Sequence, residues 1–157
     1  MNKVPITENG YKKLHEELKK LVNKDRPEII AAIAEARSHG DLSENAEYQY
    51  AKETQSLIEG KIAELEQLVA QAEIIDFSEF KGDEVKFGAT VKIEDDDTGE
   101  NFVYQIVGEY ESDVKNQKLS INSPMARGLI GKRKKDVIEI NSPKGIKVYT
   151  ILSVKFE

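Results

Sequence analysis

The chain has 157 residues, enough for one ordinary domain or two small ones, with 39% apolar and 33% charged residues; a soluble folded chain with a modest core fits this, and a disordered tail does not. It contains no cysteine and only two histidines, His15 and His39, which excludes disulfide scaffolds, thiolate metal sites and thiol nucleophiles and leaves too few imidazoles for a His-rich metal centre. The formal charge of −6 repels a bare polyanion, so any nucleic-acid contact has to be local or arranged by a partner.

The start, Met1-Asn2-Lys3-Val4-Pro5, turns polar without an apolar signal region, and no run approaches the roughly 18 apolar residues that span a bilayer. The expected address is the cytoplasm. From Thr7 to Ile75 the chain is dense in Ala, Glu, Lys, Leu and Gln, all good helix formers, and two helices are expected. In the first, Tyr11, Leu14, Leu18, Leu21 and Val22 form one apolar stripe and Ile29, Ile33 and Ala36 another. The step from Leu18 to Ile29 is eleven residues between steps of seven, a stutter in the coiled-coil repeat, and Pro27 within it predicts a kink. In the second helix, Ala51, Gln55, Ile58, Ile62, Leu65, Val69 and Ala72 recur at alternating spacings of four and three, an unbroken heptad seam that needs a partner helix. An antiparallel coiled-coil hairpin follows, with arms of about 30 residues, or roughly 45 Å.

Between the arms lies Arg37-Ser38-His39-Gly40-Asp41-Leu42-Ser43-Glu44-Asn45, with Gly40 placed to leave the right-handed helix. Asp41 and Glu44 are three apart at the entrance to the second helix. Two adjacent carboxylates are hard oxygen donors that suit Mg²⁺, and alone they bind it weakly. The same pattern also reads as an N-cap, with Asp41 accepting from backbone amides and Glu44 reaching back. Spacing does not separate these readings. Arg37 and Lys52 flank the acids as candidate phosphate contacts, or as ordinary solvated cations. Tyr48 and Tyr50 are candidate stacking or seam residues.

After Ile75 the apolar period changes to two. Ala89–Glu94 and Phe102–Val107 read as strands around the turn Asp95-Asp96-Asp97-Thr98-Gly99, and 118–122, 137–141 and 147–156 as further strands. Ser123-Pro124 reads as an N-cap and N1 proline opening a short helix that Gly131 ends. The expected fold class is α+β, with a hairpin over residues 1–75, a linker at 76–82 and an antiparallel sheet domain with one short helix over 83–157. Lys132-Arg133-Lys134-Lys135 is the densest basic cluster, a solvated turn or a binding patch. The templates for phosphate loops, zinc hydrolases and serine hydrolases are missing.

The runs Ile29–Arg37 with Gly40-Asp41-Leu42-Ser43-Glu44-Asn45-Ala46-Glu47-Tyr48, and Asn122-Ser123-Pro124-Met125-Ala126-Arg127-Gly128-Leu129-Ile130-Gly131-Lys132, resemble the Gre family of bacterial transcript cleavage (elongation) factors, in order and over essentially the whole chain. The resemblance implies an FKBP-like second domain docking at the rim of the RNA polymerase secondary channel through the Ser123 and Pro124 region, and a coiled coil inserted into that channel. It implies that Asp41 and Glu44 hold a Mg²⁺ shared with the polymerase active site, where the nascent RNA 3′ end of a backtracked complex is hydrolysed, with RNA contacted near Arg37 and Lys52. Lys52 stands where the family often has Arg and lacks its bidentate fork. The chain is then no autonomous nuclease, has no membrane partner and acts as a monomer. Alternatives are a polymerase-binding inhibitor or regulator of the same fold without cleavage activity, a prolyl isomerase or chaperone-like module, and a coiled-coil adaptor.

Overall fold

The computed structural model of the chain describes residues 3–40 and 45–156 and divides into two compact units, one of Tyr11–Ala72 and one of Lys3–Gly10 with residue 73 onward.

The first unit is the helical hairpin. Its first arm runs through α1 (Glu8–Lys20), a π-helical turn (Leu21–Asp25) and α2 (Arg26–Arg37), and its second is the single helix α3 (Ala46–Gln71). Every apolar position expected on the two seams is buried or half-buried; Leu14, Ala36, Ala51, Ile62 and Leu65 are 5% exposed or less. Such a narrow seam stabilises the pair only through mutual burial of one arm by the other. The irregularity expected at Pro27 takes the form of the π turn, in which Arg26 N–H donates to the Leu21 carbonyl. Pro27 has no N–H for the carbonyl four residues back and its ring crowds that carbonyl, so a widened turn just before it relieves both problems. Across the arms, Arg26 grips Glu59 with two bonds of 2.8 Å, Nε to Oε2 and Nη2 to Oε1. This pairing holds the Glu59 carboxyl below its ordinary range and raises the guanidinium.

The second unit opens with β1 (Val4–Ile6), which pairs with β2 (Ala72–Ile74) in a two-stranded ribbon. Neither strand was expected, because three residues around Pro5 carry no alternation to read. A proline is tolerated there because a ribbon strand has a free edge. The main sheet has five strands in the order β5-β4-β3-β7-β6: β3 (Thr90–Asp95), β4 (Asn101–Val107), β5 (Lys118–Ser120), β6 (Val137–Ser142) and β7 (Gly145–Lys155). Alternation sends Val91 and Ile93 of β3 inward, with Ile106, Leu119, Ile138 and Ile151 from the other strands, onto Ala126 and Leu129 of the short helix α4 (Pro124–Leu129). The α+β class holds, but the sheet is mixed. β5 lies parallel to β4, Gln105 opposite Lys118, where an all-antiparallel sheet was expected. Residues 108–117 form two 3₁₀ turns, Glu109–Glu111 and Val114–Asn116, and these carry the chain back so that β5 re-enters in the direction of β4.

The segment 76–82, expected as a linker, is fastened to the sheet unit. The Phe77 ring lies on Gly88, where a Cβ would come 2.3 Å from a ring carbon and φ is +89°, so only glycine fits. Phe80 meets Phe156 edge-on at 5.5 Å and carries the Lys86 ammonium 5.4 Å above its ring. At the opening of α1, Thr7 Oγ1 accepts from Gly10 N–H at 3.0 Å. The Glu111 carboxylate in turn accepts from Thr7 N–H at 3.0 Å, from Gly108 N–H at 2.9 Å and from the Thr7 hydroxyl.

Candidate functional site

The end of the hairpin is built from the last turn of α2 and the first of α3. α2 ends at Arg37 and closes with tight turns: Ser38 N–H to the Glu35 carbonyl at 3.1 Å and His39 N–H to the Ala36 carbonyl at 3.2 Å. Gly40 then takes φ +117° with open space around it, the role foreseen for it. Asp41 and Glu44, the acids singled out in the sequence, lie outside the described residues.

On the far side of that segment the chain re-enters helix at Asn45. Its Oδ1 accepts from Tyr48 N–H at 3.0 Å, making Asn45 the N-cap of α3, and its Nδ2 donates to the Ala36 carbonyl at 2.6 Å. α3 begins at Ala46 with Asn45 as its N-cap, while the capping pattern read at Asp41–Glu44 falls outside the described residues. The Asn45 amide satisfies an orphan donor of one helix and a last-turn carbonyl of the other. Sequence reasoning missed this residue; the available signal was an Asn directly before the first residue of the α3 helical run. His39 Nδ1 also stands 3.7 Å from Glu47 Oε2 across the same gap.

Arg37, at the end of α2, and Lys52, in the second turn of α3, are exposed, one on each arm. Lys52 Nζ donates to Gln55 Oε1 at 3.3 Å. Tyr48 is half-buried, as a seam residue would be, while Tyr50 is 72% exposed. Both arms thus place a cation near the hairpin end, on a surface open to a partner.

In the second unit, Ser123 caps α4: its Oγ accepts from Ala126 N–H at 3.2 Å and donates to the Ser120 carbonyl at 2.7 Å. Pro124 occupies the first helical position and is exposed. In the basic cluster Arg133 is neutralised locally, with Nη1 3.0 Å from Asp83 Oδ1 and Nη2 3.3 Å from Glu84 Oε1. Lys132, Lys134 and Lys135 remain exposed.

Residues 4–74 match the family model described as the N-terminal domain of transcription elongation factors, and residues 80–156 match the C-terminal GreA/GreB model. The chain belongs to the GreA/GreB family of transcription elongation factors. It is 58% identical to transcription elongation factor GreA of Phenylobacterium zucineum and 60% identical to that of Brucella anthropi, each over 156 residues and 99% of both chains. Among solved structures it is similar to GreA factor homolog 1 of Thermus thermophilus, with 28% identity over 98% of this chain and 99% of that one and a TM-score of 0.45. The GreA/GreB assignment spans both units, so the hairpin end and the α4 surface belong to one factor. No helix among the described residues is long and apolar enough to cross a membrane.

Proposed function

We propose that the chain docks on bacterial RNA polymerase through its sheet unit and presents the hairpin end inside the secondary channel, stimulating the polymerase's own cleavage of backtracked transcripts. Family membership across both units, with a GreA as the relative at 58–60% identity, supports this reading. The observation that carries it is the Asn45 cap: the N-cap position of α3 is filled by Asn45, whose Oδ1 accepts from Tyr48 N–H, and not by either of the two acids.

In this reading Asp41 and Glu44 supply oxygen ligands to a Mg²⁺ shared with the polymerase. Two carboxylates suit that ion's preference for hard oxygen donors but complete its shell only where phosphates and other carboxylates converge. When bound, the ion would serve as one of a pair, one ion activating water and the other stabilising the leaving oxygen of the phosphodiester. Arg37 and Lys52 bring positive charge to the RNA 3′ end, the bidentate guanidinium offering a stronger grip than the ammonium. Ser123 shapes, and Pro124 lies on, the α4 surface assigned to docking. The chain contributes ligands and position, the polymerase contributes the remaining catalytic apparatus, and the factor is no nuclease by itself. It works as a monomer in the cytoplasm, where its polymerase resides.

The test is transcript cleavage in a stalled, backtracked elongation complex, comparing the natural chain with the double variant Asp41→Asn, Glu44→Gln. Cleavage stimulated by the former and lost in the latter, with polymerase binding retained, is expected. Equal cleavage by both would overturn the assignment of the acids.

A further inference from the structure

We propose that the turn Arg133–Asp136 presents Lys134 and Lys135, with Lys132 beside them, to an acidic protein surface, extending the α4 docking face toward a patch of carboxylates on the polymerase. The inference rests on the function proposed above and deepens it by giving the partner's surface a chemistry.

The turn is firmly held. Asp136 N–H donates to the Arg133 carbonyl at 3.0 Å and Arg133 N–H to Asp136 Oδ2 at 2.8 Å, which closes the four residues from both sides. Lys134 N–H donates to the Asp83 carbonyl at 3.2 Å and Lys135 N–H to the Ile151 carbonyl of β7 at 2.8 Å, so both central residues are fastened to the sheet unit. Lys135 has φ +79°, left-handed backbone that glycine adopts freely and lysine only against the crowding of its Cβ. The backbone here suits glycine while the chain carries a cation, and such outliers concentrate where a side chain has a task.

Charge is distributed unevenly around the turn. Arg133 is balanced by Asp83 at 3.0 Å and Glu84 at 3.3 Å, whereas no described residue forms an ion pair with the exposed ammonium of Lys132, Lys134 or Lys135. Apolar residues border the lysines: Ile130 is 37% exposed and Val137 59%. These features favour a protein over a nucleic acid. The guanidinium, the one group here with a bidentate fork for phosphate, is already occupied. The net charge of −6 repels a polyanion at range, and exposed isoleucine and valine find apolar contacts on a protein but not on a phosphate backbone. The turn also follows directly on α4, with Lys132 N–H donating to the Leu129 carbonyl at 3.0 Å.

The experiment measures affinity and association rate of the full-length factor for core polymerase at several salt concentrations. It compares the natural chain with the triple variant Lys132→Gln, Lys134→Gln, Lys135→Gln, with Lys135→Gly, and with Lys144→Gln beyond the far end of β6; melting curves confirm that each is folded. Three exposed ion pairs together correspond to about 3- to 100-fold in affinity. The triple variant should bind that much more weakly at low salt, chiefly through slower association, with a shallower salt dependence. Lys135→Gly, which suits the backbone, should also bind more weakly, and Lys144→Gln should bind as the natural chain does. Natural affinity in the triple variant or in Lys135→Gly, or an equal loss in Lys144→Gln, would overturn the inference alone. So would a loss seen only with polymerase carrying nucleic acid, which would make the partner a phosphate backbone. A natural chain that does not bind polymerase would instead overturn the proposed function, and the inference with it.

Discussion

Asp95 ends β3 with 5% of its surface exposed, and its carboxylate is fully engaged. Oδ1 accepts from Asp97 N–H at 2.9 Å and Thr98 N–H at 3.4 Å, while Oδ2 faces the Lys147 ammonium at 3.6 Å. The turn amides, and then Lys147, hold its carboxyl below the ordinary range. A carboxyl whose folded pKa is depressed stabilises the fold fully above its unfolded value, about 4, and loses that contribution as pH falls through the folded value. The thermal midpoint should therefore be level from neutral pH down to about 5 and decline below about 4. Asn at position 95 keeps the turn acceptor but not the charge, so Asp95→Asn should be less stable at neutral pH and less sensitive to acid. Melting curves across pH check this, and an unchanged acid profile in the variant would remove Asp95 from the account. At this scale the sequence was partly readable. The hairpin turn around Asp95 announces itself by composition, whereas the choice between Asp41 and Asn45 as the cap of α3 depends on where the helix starts, and single-sequence patterns fix that boundary poorly.

Elements with long regular periods were the most readable ones. The heptad from Ala51 to Val69 occupies the buried face of α3, because one uninterrupted stripe has only one way to face a partner helix, and its last position, Ala72, opens β2. Leu65 on that seam has no exposed surface, while Leu57 on the same helix is 75% exposed. Leu65→Ala should cost about 2–5 kcal/mol of stability, and Leu57→Ala should stay within about 0.5 kcal/mol of the natural chain. Denaturant unfolding followed by helical circular dichroism measures both, and similar losses would mean that the seam is misassigned. Short or tertiary-determined elements were not legible. β1 and β2 have too few residues to show a period. β5 was found as a strand, but its parallel direction depends on the path of residues 108–117 and leaves no local trace. The π turn was foreshadowed only as an irregularity, because the stutter and Pro27 mark a place without specifying which hydrogen bonds replace the lost one.

For the whole molecule the relevant quantities are charge and the distribution of chemistry. A net charge of −6 gives no long-range attraction for RNA, and among the described residues no group of three or more His, Asp or Glu side chains could hold a metal ion. Asp41 and Glu44 add two carboxylates, which in water bind Mg²⁺ weakly because the ion keeps most of its hydration shell. Hydrolysis of a phosphodiester by the two-metal route needs both ions held about 3.5–4 Å apart with the substrate between them, and in the proposed function the polymerase supplies the remaining ligands. Labelled RNA incubated with the isolated full-length factor in Mg²⁺ should therefore stay intact at concentrations that give rapid cleavage in a backtracked elongation complex. Its affinity for free RNA should be weak, because few phosphates can be neutralised by an acidic partner. Hydrolysis without polymerase, abolished by Asp41→Asn, would show that the factor assembles a complete active site alone, and would overturn the division of labour in which the factor supplies ligands and position and the polymerase supplies the rest.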